Sequence, residues 1–279
     1  MLSNPLFSVI TINYNNHIGL KKTISSIVSQ SYSNFQLIII DGGSSDDFLN
    51  VIKLYESHIS FWCSEKDKGI YDAQNKGISK ATGDYLIFMN SGDCFTGNNV
   101  LQKSAQFIEE KKGHKIYYGN TNLIEEDGVR RFLAPPEIID LNFFFFATLN
   151  HQSCFIHKEL FATYGMYSLE YKISADYDFF LKVFLNEPEA YCYMNELICD
   201  YENYGTSANT KFFDLVVKER KRIHEALLSS EQLKKRERLE IQILGRKSIF
   251  FKSVPESDKL KSLYDRFYFR WYKFITKQN

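Results

Sequence analysis

The segment Phe35-Gln36-Leu37-Ile38-Ile39-Ile40 constrains this chain more than any other, because it is a near-continuous apolar run that stops at Asp41. Such a run suits a strand buried on both faces, the environment of a parallel sheet covered by helices. The pattern repeats. Phe7-Ser8-Val9-Ile10-Thr11-Ile12 is β-rich and ends in the polar turn Asn13-Tyr14-Asn15-Asn16, while Phe61-Trp62-Cys63 and Tyr85-Leu86-Ile87-Phe88-Met89 read as further strands. Between them, helical spacing predicts helices over His17–Ser31 (Ile18, Ile24, Ile27, Val28), about Asp46–Ser57, and Tyr71–Ala81. Repeated β-α-β units imply an α/β layer fold, a mostly parallel central sheet flanked by helices, with ligands at the carboxyl ends of the strands. In the second half, Lys115–Leu133 reads as strands around the Glu125-Glu126-Asp127-Gly128 turn, Ser174–Asn186 as a helix and Tyr191–Tyr201 as a strand.

The unusual residues fall at those strand ends. Asp41-Gly42-Gly43-Ser44-Ser45-Asp46, Glu65-Lys66-Asp67-Lys68-Gly69 and Asn90-Ser91-Gly92-Asp93 are three polar, glycine-bearing loops that converge on one rim. Neither G-x-x-x-x-G-K-[ST] nor G-x-G-x-x-G is present, so a phosphate group is handled by other means. An acid at a strand end is a natural partner for a divalent ion, which offsets the charge of a diphosphate; Asp93 is the candidate. Taken singly, these loops are also ordinary βα turns, with Asp46 capping the next helix. Asp176 taken singly is an acid interacting with a helix dipole. His151, in Asn150-His151-Gln152-Ser153, reads either as a structural residue at a strand start or as an acceptor-side group.

Taken together and in order, four segments resemble glycosyltransferase family 2, with the GT-A fold. They are Ser8-Val9-Ile10-Thr11-Ile12-Asn13-Tyr14-Asn15, Ile40-Asp41-Gly42-Gly43-Ser44-Ser45-Asp46, Asp67 to Gly77, and Ala81 to Asp93. Ser174-Ala175-Asp176-Tyr177-Asp178 and Tyr201 to Ser207 continue the resemblance, which fades near Thr210. It implies that Asp41 accepts a hydrogen bond from the donor's base, and that Asp67, with Tyr71 to Asn75, lines the nucleotide pocket. Ser91-Gly92-Asp93 stands in the place of the family's DxD-type motif, with Asp93 holding Mn2+ or Mg2+. Asn13 and His151 complete the candidate nucleotide-sugar set. Three positions depart from the common pattern: Gly92 replaces an acid that often contacts ribose, Asn90 replaces an Asp, and Gln74 replaces an Arg. Asp176 matches the catalytic base, with Asp178 pointing elsewhere. The implied activity is an inverting, metal-dependent transfer of sugar from a nucleotide-diphosphate donor to a hydroxyl of a glycan or lipid-linked acceptor, in surface polysaccharide biosynthesis. A nucleotidyltransferase would carry a Gly-rich, basic phosphate loop, absent here, whereas Gly92 and Asn90 leave open a catalytically silent nucleotide-sugar-binding protein.

The chain's net charge of zero hides an asymmetry. Residues 1–210, the catalytic domain of this reading, hold 16 Lys+Arg and 25 Asp+Glu; residues 211–279, a helical C-terminal extension, hold 18 and 9. Phe213, Val216, Val217, Ile223 and Leu227 fall close to one helical face. Leu260, Leu263, Phe267, Trp271, Phe274 and Ile275 form a second stripe, accompanied by Tyr264, Tyr268, Tyr272 and six cations. Basic and aromatic residues on an amphipathic helix fit an anionic membrane surface, or a helix packed on the acidic catalytic body. Nucleic acid is a poorer partner, since no recognition motif accompanies the charge. No secretory signal or transmembrane stretch is visible, and five cysteines without a C-x-x-C pair suit a reducing cytosol. The expected location is cytoplasmic, peripheral at the inner face of the cell membrane.

Overall fold

The structure, a computed structural model, describes residues 4–125, 127–202 and 213–245. The Tyr204–Ser207 loop and the Leu260–Ile275 stripe lie outside the described residues. The first half alternates as the sequence predicts: β1 (Phe7–Asn13), α1 (His17–Val28), β2 (Phe35–Asp41), α2 (Phe48–Tyr55), β3 (Phe61–Ser64), α3 (Ile70–Lys80) and β4 (Tyr85–Phe88). β5 (Cys94–Phe95), α4 (Val100–Glu110), β6 (Ile116–Ile124), β7 (Arg130–Leu133), α5 (Leu141–Phe146), β8 (Cys154–His157), α6 (Glu159–Tyr164), α7 (Ala175–Asn186), β9 (Tyr191–Glu202), α8 (Phe213–Leu227) and α9 (Ser230–Gly245) follow.

Among the described residues one sheet runs β3-β2-β1-β4-β8-β6-β9-β5, and β7 pairs with β6 beyond the end of β8. β3, β2, β1 and β4 are mutually parallel, with Asn13 level with Asp41 and Asp41 level with Ser64. Past β4 the sheet becomes mixed, since β8 is antiparallel to both β4 and β6 while β9 is parallel to β6. The apolar run of β2 is divided by the period-two alternation of a strand. Ile38 and Ile40 enter one core with Tyr71, Phe88, Phe144, Tyr177 and Phe180; Leu37 and Ile39 enter the other with Leu20, Ile24, Phe48 and Leu101. Each of these side chains is fully or nearly fully buried, worth about 1.5–3 kcal/mol apiece for the aliphatic ones.

Two helical stripes differ in detail from the sequence pattern. In α1 the buried face is Leu20, Thr23, Ile24 and Ile27, and Ile18 is 74% exposed beside the N-cap Asn16, whose side chain accepts from Gly19 N at 3.0 Å. In α8, Val217 is exposed; the inward face is Glu219, Ile223 and His224, polar members that apolar periodicity overlooks. Ile223 and Leu228 belong to the same core as α7, so α8 is packed into the body of the fold. The run Phe143-Phe144-Phe145 is also core. Among the described residues no helix is long and apolar enough to cross a membrane.

Candidate active site

Helix α1 staples the loop that follows β4. Thr23 Oγ1, fully buried, donates to the carbonyl of Asp93 at 2.7 Å and approaches that of Asn90 at 3.1 Å, and it accepts from Gly92 N at 2.9 Å. Asn16 Nδ2 donates to Ser91 O, and Ser91 Oγ donates to Asn13 Oδ1 at 2.9 Å. Asn13 Nδ2 in turn donates to Asp41 Oδ1 at 2.7 Å, so the ends of β1, β2 and β4 form one hydrogen-bonded rim.

Asp41 is fully buried and its carboxylate is heavily used. Besides Asn13, it accepts from Gly43 N, Ser44 N, Ser44 Oγ and Ser64 Oγ, at 2.6–3.1 Å. A carboxylate offers about four lone-pair sites, so Asp41 organises the loop more than it presents a vacant acceptor. Asp67 does reach that loop: a Cβ added to Gly42 would stand 2.5 Å from Asp67 Oδ2 and 3.2 Å from the Tyr14 ring. Only a residue without a side chain lets these loops approach so closely. Tyr14, a residue that strand-and-turn reasoning passed over, is 66% exposed there.

The structure engages the side chains of Tyr71 and Asn75 with the Tyr167–Asp176 region rather than with the strand-end loops. Asn75 clamps the backbone of Tyr167, donating to its carbonyl at 2.8 Å and accepting its N–H at 3.0 Å, so its amide is spent on the fold. Tyr71 OH lies 2.6 Å from Ile173 O and 2.8 Å from Asp176 Oδ1. Burial, reinforced by Asp176, raises its hydroxyl pKa well above the ordinary tyrosine range. One turn on, Gln74 is fully buried with neither amide atom hydrogen-bonded to the described residues.

Asp176 opens α7 and gathers donors from three elements. Oδ1 accepts from Tyr71 and from Tyr177 N at 2.9 Å; Oδ2 lies 3.0 Å from His151 Nδ1. Burial alone would raise this carboxyl, but the hydrogen bonds and charge from His151, with Tyr71 and Tyr177, hold it below the usual aspartate range. His151 occupies a short 3-10 turn ahead of β8, its ring edge-on to Phe88 and its Nε2 3.4 Å from Asn90 Nδ2. The structure thus brings His151, Asp176 and the Asn90–Asp93 loop together. Asp178 points away from them and pairs with Lys182.

Asp93 is 3% exposed, and burial pushes its carboxyl up to about 7 against the opposing effects of Glu202 N–H, His151 and Gln152. Its two hydrogen bonds come from neutral donors, Glu202 N at 3.1 Å and Gln152 Nε2 at 3.4 Å. A buried carboxylate so placed suits a cation. Among the described residues no cluster of three or more His, Cys, Asp and Glu could enclose a metal, so a divalent ion here would complete its shell with substrate oxygens and water, as Mg2+ commonly does.

Position 92 is explained by its neighbour. Gly92 has φ +110°, and a Cβ there would stand 2.5 Å from Glu202 Oε2. Glu202 reaches over the loop from the end of β9, ion-paired at 2.6 Å with Lys22, which also donates to Gly92 O. Glu202 lies in the Tyr201–Ser207 segment of the resemblance but had no role there, and Lys22 lies in no motif; their meeting with Gly92 was hidden because they stand 110 and 70 positions from it in the chain.

Comparison with known proteins gives a consistent picture. The profile of the family described as Glycosyl transferase family 2 matches residues 8–171. A PGL/p-HBAD biosynthesis glycosyltransferase of Mycobacterium bovis (strain BCG / Pasteur 1173P2) is 30% identical over 213 residues, spanning 75% of this chain and 81% of that protein. The Escherichia coli UDP-Glc:alpha-D-GlcNAc-diphosphoundecaprenol beta-1,3-glucosyltransferase WfgD is 30% identical over 139 residues, spanning 49% of this chain and 54% of that protein. Among solved structures, S. aureus TarS 1-349 superposes with a TM-score of 0.63 at 16% identity, covering 91% of this chain and 77% of TarS 1-349, a likeness of fold.

Proposed function

The chain belongs to glycosyl transferase family 2 and is a glycosyltransferase with the GT-A fold, and from that premise we propose that it transfers a sugar, with inversion, from a nucleotide-diphosphate donor to a hydroxyl of a glycan or lipid-linked acceptor in surface polysaccharide assembly. The observation that carries this reading is the single network joining the strand-end rim, Asp41–Asn13–Ser91, through Asn90 to His151 and Asp176. It supports a donor lying on the rim with a proton acceptor beside its sugar. The Escherichia coli relative, whose name gives a UDP-sugar donor and a diphosphoundecaprenol-linked acceptor, supports the substrate classes.

In this reading the nucleoside lies along the Asp41–Ser44 loop, between the exposed Tyr14 ring and Asp67. The diphosphate lies by Ser91-Gly92-Asp93, and Asp93 is the residue that would hold Mn2+ or Mg2+. When bound, that ion would act as a Lewis acid on the leaving diphosphate. The acceptor hydroxyl attacks the anomeric carbon, its proton is received by the Asp176 carboxylate, and the nucleoside diphosphate departs. The net +9 charge of residues 211–279 supports a peripheral place at the inner face of the cell membrane.

A panel of nucleotide sugars, monitored for nucleoside diphosphate release with and without a diphospholipid-linked acceptor, tests the reading. One donor should turn over only with acceptor present, and both Asp93→Ala and excess chelator should abolish that turnover. Full activity under chelation removes the metal from the proposal; absence of release from every donor removes the transfer itself.

A further inference from the structure

We propose that the cavity between β6, the end of β7 and α5 seats an uncharged apolar aglycone, an alkyl or aryl group joined directly to the acceptor sugar. Amphiphilic glycosides are then the substrate class on the acceptor side. The inference rests on the glycosyl-transfer reading above and deepens it.

The first ground is place. Leu133, Pro135, Phe143, Phe146, Leu149 and Asn150 line the cavity. Asn150 immediately precedes His151, whose Nδ1 lies 3.0 Å from Asp176 Oδ2. Cys154, also in the lining, donates from Sγ to Asn150 O, and burial, then Cys199 and the Asp176 carboxylate, raise its thiol well above the ordinary range. Tyr177, the neighbour of Asp176, donates from its hydroxyl to Phe144 O at 2.5 Å, which ties α5 to the first turn of α7. The donor is assigned to the strand-end rim of Asp41, Asp67 and Ser91, and none of those residues lines the cavity. The acceptor is the substrate left to occupy it.

The second ground is chemistry. Phe143 and Phe146 stand three apart on α5, so both rings share one face, while Phe144 and Phe145 between them do not line the cavity. Leu133 points inward from β7, and its neighbour Phe132 is exposed, as strand alternation requires. Among the described residues that line the cavity, none is Lys, Arg, His, Asp or Glu. Arg130 and Arg131, on the same strand, are ion-paired with Asp200 and Glu125 at 3.3 and 3.1 Å. A phosphate drawn into this lining would lose its water without gaining a countercharge, so the group that fits is neutral.

The polar members of the lining divide in the same sense. Tyr118 and Thr121 spend their hydroxyls inside the fold, the first donating to Pro136 O and the second pairing with Ser153 Oγ. Asn150, half-buried, makes no side-chain capping bond to the 3-10 turn that it precedes, which leaves its amide to meet a sugar hydroxyl. An apolar lining with one polar group of this kind orients a ligand that is sugar at one end and hydrocarbon at the other.

The test measures binding of methyl, hexyl and phenyl β-glucoside to the full-length chain by calorimetry, below micelle formation. Hexyl and phenyl glucoside should bind at least about tenfold tighter than methyl glucoside, because their apolar area leaves water. Ala134→Phe, which fills the cavity from a half-buried lining position, should bring hexyl glucoside down to the methyl value while keeping a cooperative unfolding transition. Phe146→Gln, which puts a polar amide into the lining, should do the same and stands in if Ala134→Phe does not fold. Equal affinity of the three glucosides for the wild type, or binding of none, overturns the proposal. So does tight binding of hexyl glucoside that both variants leave unchanged, because the ligand then sits elsewhere. With a donor and acceptor sugar that the wild type turns over, kcat/KM for the hexyl glycoside of that sugar should exceed that for its methyl glycoside by at least about tenfold. Transfer that ignores the aglycone overturns the proposal and leaves the transfer reading standing. If no donor is turned over, the transfer reading itself fails, and the acceptor assigned to the cavity falls with it.

Discussion

Gly92 is the residue where sequence and structure explain each other best. Its absent side chain leaves room for the Glu202 carboxylate, and its φ of +110° lies in a region that side chains rarely adopt. The departure from an acidic residue at this position is therefore matched by an acid arriving from β9, held by Lys22. Gly92→Ala should lower stability by about 1–3 kcal/mol in urea denaturation. Gly97→Ala, whose added Cβ would meet only Asn99 Oδ1 at 3.6 Å, should stay close to wild type. Equal loss in both variants would mean that the backbone at Gly92 relaxes freely. Asp93 stood out in the sequence as an acid at a strand end, whereas Asp41, Asp67 and Asp176 were singled out only through the ordered motifs of the family resemblance, since each taken singly is an ordinary turn or helix-start acid. Their partners were not, since Ser64, Gln152 and Glu202 come from separate strands and turns that only the folded sheet brings together.

Among the elements, α8 does the least expected work. Glu219, 3% exposed, accepts from Lys172 N, Ile173 N and Ser174 N at 2.7–3.1 Å, filling the nest of amides just before α7 with a carboxylate. Two residues after that nest stands Asp176. His224, also on α8, is buried against Tyr177, and burial with Arg236 and Arg220 nearby drops it to about 3, so it stays neutral. Glu219→Ala should leave three amides short of partners, with about 1–3 kcal/mol lost for a buried unmet group. Its kcat should fall while nucleoside diphosphate affinity is kept, because the rim of β1, β2 and β4 is untouched; Glu219→Gln should recover part of both stability and kcat. Unchanged kcat in a folded Glu219→Ala would sever α8 from the site. The parallel strands and their helices were readable from period-two and period-3.6 patterning. The inward face of α8 was not, because its decisive members are a carboxylate and a histidine that apolar counting leaves out.

For the whole molecule, the asymmetry of charge is the feature that reaches outward. The net −9 of residues 1–210 and +9 of residues 211–279 imply attraction between the tail and anionic surfaces, weakened by salt. The full chain should sediment with anionic vesicles more than with neutral ones, and a chain ending at Pro255 should lose that binding while still binding donor. Equal sedimentation with both vesicle types would remove the membrane from the reading. The GT-A fold was visible from four ordered motifs, whereas the mixed pairing around β8 was not, since strands of four residues carry too little pattern to reveal their direction. The boundary suggested by charge also differs from the one drawn by packing. Because Glu219, Ile223, His224 and Leu228 are built into the catalytic body, chimeras of related transferases joined at residue 210 would inherit a mismatched support for Asp176. Junctions placed after Ser229 would carry that support intact, so recombination of tails can redirect such an enzyme without silencing it only downstream of this helix.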